Sequence, residues 1–85
     1  MPYIKSDRRD ELAVGNYPKT AGELNYEVTQ KIIEYLVTHD LGYQTINDVV
    51  GALEGAKLEF YRRVVGTYED RKIKENSDIY PAEFT

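Results

Sequence analysis

The 85-residue chain contains no cysteine and one histidine, His39. Without cysteine neither a disulfide framework nor a thiolate metal site can form, and a single histidine is a poor start for a zinc site; a reducing compartment fits. No apolar run approaches the ~18 residues that a membrane span requires, and no charged-then-apolar leader is visible, so a cytoplasmic protein with no membrane partner is expected. The formal net charge is -4 at pH 7. That balance argues against duplex nucleic acid, whose binding draws on neutralising many phosphates, but leaves room for a small anion carrying few of them.

Proline is also scarce, and none falls between Lys19 and Tyr80. Thr20 followed three residues later by Glu23 is a capping-box pattern, and AGELNYEVTQKIIEYLVTH continues it, predicting a helix over residues 20–39. Thr45 with Asp48 predicts the start of a second helix, over residues 45–76 and bent at Gly66. Ser6 and DRRDELAV are compatible with a short helix ended by Gly15, Asn16 and Pro18, or with none. The expectation is a single all-α domain: a weakly anchored arm over residues 1–19, two long helices, and an extended tail over residues 77–85.

Rotation by about 100° per residue sorts the faces. Leu24, Val28, Ile32, Tyr35 and Leu36 form one stripe of the first long helix, with Tyr26, Ile33 and Val37 on its other side. In the second, Ile46, Val49, Val50, Leu53, Phe60 and Val64 form the main stripe, with Gly51, Gly55 and Leu58 nearly opposite. A second apolar face on each helix predicts a homo-oligomer held through Tyr26, Ile33, Val37, Gly51, Gly55 and Leu58, or else a docked arm that covers it. The two glycines either let another backbone approach or are tolerated helix defects.

Catalytic candidates are thin. His39 ends a helix, where the dipole favours it, and the carboxylates fall at ion-pair spacings such as Glu59 to Arg63 and Asp70 to Lys74. No glycine-rich phosphate loop follows a strand. The expectation is a non-enzymatic protein without a cofactor. What remains is KLEFYRRVVGTYEDRKIKEN, Lys57 to Asn76. Arginine offers a planar fork that matches phosphate oxygens and tyrosine a flat surface for a purine, so Lys57, Tyr61, Arg62, Arg63 and Tyr68 are candidate nucleotide ligands. Pairing of Lys57 with Glu54 and of Arg63 with Glu59 accounts for the same spacing without a ligand.

The start MPYIK, the segment GELNYEVT (Gly22 to Thr29) and the run GALEGAKLEFYRRVVGTYEDRKIKENSDIY (Gly51 to Tyr80) resemble a family of small uncharacterised proteins from phage and prokaryotic genomes. Thr67 and Ser77 stand where the family pattern suggests proline and glycine. The resemblance implies a mobile-element setting, with the host cytoplasm as the compartment. Such genomes encode small oligomers that sequester the cyclic nucleotides of host defence signalling. A nucleotide sponge of this kind, or alternatively a helical protein-interaction or assembly adaptor, is the function expected from the chain.

Overall fold

The computed structural model describes residues 1–84 and is all-α. Three helices appear where two long ones and an optional short one were expected: α1 (Ser6–Ala13), α2 (Ala21–His39) and α3 (Tyr43–Phe60). α3 passes through a π-helical turn (Tyr61–Val65) directly into α4 (Gly66–Asn76), giving one joined helix. The chain divides into two compact units, Met1–Val49 and Val50–Thr85.

In the first unit the arm is tied down, contrary to the sequence expectation. Arg8 reaches from α1 to Glu23 with Nε at 2.9 Å and Nη2 at 2.6 Å, a forked contact that fixes two bond directions at once. Leu12, one turn further along α1, is buried. Glycine at position 22 permits the N-terminal segment to lie close, since a Cβ there would stand 3.1 Å from the Met1 carbonyl oxygen. α1 ends at Ala13, and Gly15, with a φ of 102°, closes the turn after it while the Asn16 and Gly15 amides donate to the Glu11 and Leu12 carbonyls.

The Thr20 cap forms as expected, its hydroxyl accepting from the Glu23 amide at 3.1 Å. The reciprocal half of the box is displaced: Glu23 takes the Lys19 amide at 2.8 Å as well as the Arg8 guanidinium. Thr45 does not cap the next helix, which begins two residues earlier at Tyr43. Its buried hydroxyl closes the α2–α3 turn from within, accepting from the Gly42 amide at 2.9 Å and donating to the Asp40 carbonyl at 2.8 Å. Asp48 is thereby free for the Tyr35 hydroxyl of α2, 2.7 Å away, and for Gln44 Nε2 at 2.8 Å. These bonds hold the Asp48 carboxyl below its ordinary pKa, and the same hydrogen bond followed by burial raises that of Tyr35.

In the second unit the rotation changes at the π turn, where the Gly66 amide donates to the Tyr61 carbonyl. A Cβ at Gly66 would sit 3.3 Å from that oxygen. The tail is not wholly extended as predicted: Ala82–Phe84 forms a 3-10 turn behind Pro81.

Two helix ends are occupied by residues in a backbone region that suits glycine: Asp40 after α2 (φ 63°, ψ 148°) and Ser77 after α4 (φ 71°, ψ 153°). Such conformations cost about 1–3 kcal/mol for a residue with a Cβ. Ser77→Gly and Asp40→Gly are each expected to stabilise the fold by about 1 kcal/mol after the extra unfolded-state entropy of glycine is subtracted. The Thr45 bond to the Asp40 carbonyl survives the change because it uses backbone. Thermal melts of the two variants check this, and an unchanged or lower midpoint contradicts it.

Candidate functional site

Lys57, Tyr61, Arg62, Arg63 and Tyr68 all stand on the exposed surface of the joined helix. Each cation of the group already has a local partner. Glu59 is shared by Arg62 Nη2 at 2.9 Å and Arg63 Nη1 at 3.8 Å, and Lys57 Nζ lies 3.7 Å from Glu54. Helical spacing paired Glu59 with Arg63; the shorter contact is to Arg62. The Tyr61 ring packs edge-on against Phe60 at 6.2 Å, and Tyr68 carries the cations of Arg71 and Lys72 over its ring at 5.7 and 5.5 Å. These rings and cations sit in separate local contacts, not around one cavity.

Among the six residues assigned to an oligomer contact, Tyr26 is half-buried while Ile33, Val37 and Leu58 are exposed. A Cβ at Gly51 or Gly55 would meet nothing within 4 Å.

A different constellation is brought together in the first unit. Pro2 to Ile4 turns on an Ile4 amide to Pro2 carbonyl bond of 3.0 Å, and the Ile4 carbonyl then accepts from Arg9 Nε at 2.9 Å. This places the Arg9 guanidinium over the Tyr26 ring of α2, 5.8 Å from its centroid. Tyr3, Arg9, Tyr26, Thr29, Gln30 and Ile33 line a groove of about 230 Å³. Its one charged lining residue is Arg9, and no carboxylate among the described residues forms an ion pair with it. The bond at Nε and the ring beneath fix the guanidinium plane, leaving Nη1 and Nη2 available to an acceptor.

Two other hollows have the opposite electrostatics. One of about 430 Å³ under the tail sets Lys72 against Glu69 and Asp78, with Tyr80 on its wall. Another, of about 310 Å³ beside Leu12, sets Lys31 against Glu27 and Glu34. Two carboxylates around one amine repel an anion, so the Arg9 groove is the best of the three for phosphate.

Sequence reasoning passed over Arg9, although a signal was present. Arg62 and Arg63 have Glu59 at helical spacing and Arg8 has Glu11, whereas the positions three and four residues from Arg9 are Lys5, Ser6, Leu12 and Ala13. An arginine with no acid at ion-pair spacing, flanked by tyrosines in the folded arm, was the feature to follow.

The profile of a domain of unknown function, DUF6899, matches residues 1–79, and the chain belongs to that family. No curated protein and no solved structure matches it.

Proposed function

We propose that this protein is a non-enzymatic binder of a small nucleotide, sequestering a signal such as a cyclic dinucleotide in the manner of a phage anti-defence sponge. The observation that carries this reading is the Arg9 guanidinium held over Tyr26 with its outer nitrogens free of carboxylates, facing a groove walled by a second phenol, Tyr3. A phosphate oxygen accepts from Arg9 while a base lies against a tyrosine ring, and Gln30 and Thr29 offer polar atoms for the base edge or the sugar. The groove is smaller than the roughly 300–1,000 Å³ of pockets that enclose drug-sized ligands, so one nucleotide half is its natural content.

Calorimetry with a panel of mononucleotides and cyclic dinucleotides tests the proposal. Loss of a charge-assisted bond of about 1.5–3 kcal/mol predicts that Arg9→Ala weakens binding roughly 10- to 150-fold. Tyr3→Ala is expected to weaken it comparably through lost stacking, and Tyr26→Ala by releasing the Arg9 guanidinium, while Arg62→Ala, whose partner is Glu59, changes little. Full affinity in Arg9→Ala and loss in Arg62→Ala would return the site to the joined helix. No heat with any nucleotide would leave the helical interaction adaptor as the better reading.

A further inference from the structure

We infer that the apolar face of the joined helix is the docking surface for a second copy of this chain, laid antiparallel across it. From Val50 to Phe84 no residue is buried, and only Val65 and Gly66 are half-buried. Val50, Leu53, Phe60 and Val64 nevertheless share one face of the helix, each of them 44% exposed or more. The π turn then matters. One extra residue in a turn holds back the rotation by about 100°, which carries Val65, turned away by about 120° in a regular helix, round towards the side of Leu53 and Phe60. The turn thus adds Val65 to the apolar face.

Charge identifies the occupant. Along α3, Asp48, Glu54 and Glu59 against Lys57 leave a balance of -2. From Tyr61 to Asn76, Arg62, Arg63, Arg71, Lys72 and Lys74 against Glu69, Asp70 and Glu75 leave +2. A two-fold antiparallel pairing sets the acidic half of each copy against the basic half of the other; a parallel pairing sets like against like. The inference does not depend on the nucleotide reading.

Sedimentation of the full chain at micromolar concentration is expected to give twice 9.8 kDa, and Leu53→Glu or Phe60→Glu to give a single chain with its helical circular dichroism retained, since both positions are already open to water. Glu54→Lys/Glu59→Lys is expected to dimerise poorly alone and to regain association when mixed with Arg71→Glu/Lys72→Glu. The chain has no cysteine, so a single Val50→Cys variant reports orientation. Pairing about the middle of the helix holds the two positions about 30 Å apart, and no disulfide should form on oxidation. A 9.8 kDa parent, an undiminished dimer in Leu53→Glu, failure of the charge-inverted pair to associate, or ready crosslinking through Val50→Cys would each overturn the inference.

Discussion

Lowering the pH from 4.5 to 2 is expected to cost the protein much of its stability, and Glu23→Gln to remove most of that dependence. Glu23 is the buried carboxylate of the first unit, and the Arg8 guanidinium followed by the Lys19 amide lowers its pKa from 4.5 to about 2. A carboxyl whose folded pKa is depressed contributes stability in full above its unfolded value and loses it as the pH falls through the folded value, because the unfolded chain binds the proton first. The window is therefore pH 4.5 down to about 2. Asp48, lowered by the Tyr35 hydroxyl and then by Gln44, adds to the loss in the same direction. At neutral pH Glu23→Ala is expected to be more harmful than Glu11→Ala. Glu11 is half-exposed and meets Arg8 with a single contact of 2.8 Å, while Glu23 receives two guanidinium bonds and an amide. Melting temperatures of the parent and Glu23→Gln between pH 7 and 2 decide the matter: parallel curves through the acid window would show that Glu23 is not the group responsible.

Gly51→Ala and Gly55→Ala are expected to stabilise the chain by about 1 kcal/mol apiece, the ordinary cost of glycine in a helix interior. At about 4–8 °C per kcal/mol for a domain of this size, the double variant should melt some 10 °C higher or more. Both methyl groups would enter open space, with no atom of the chain within 4 Å. The result also separates the two faces of the helix. If the glycines are the place where another helix comes close, as their spacing first suggested, the added methyls will weaken self-association and the melting temperature will fall. If the copy docks on the Leu53 and Phe60 face, association is unchanged while stability rises. Melting and sedimentation on the same samples distinguish these outcomes.

Helical periodicity, the absence of proline between Lys19 and Tyr80, and the Thr20 cap were enough to establish an all-α chain and the course of its main helices. These are local signals, carried by residues one turn apart. The anchoring of the arm was not of that kind. Arg8 and Glu23 are 15 positions apart, and nothing in spacing distinguishes that partner from Glu11 at a helical interval. Tyr35 and Asp48 met for the same reason, across a turn that Thr45 closes from inside a helix it was expected to cap. The π turn at Tyr61–Val65 was likewise illegible, because a wheel of fixed angle assumes the rotation that this segment changes. Composition and helical spacing by themselves determined the class of fold, the amphipathic faces and the scarcity of catalytic groups. Only the tertiary structure decided what surrounds Arg9, since the lack of an acid at helical spacing names no neighbour until the folded arm brings Tyr3, the Ile4 carbonyl and Tyr26 around it.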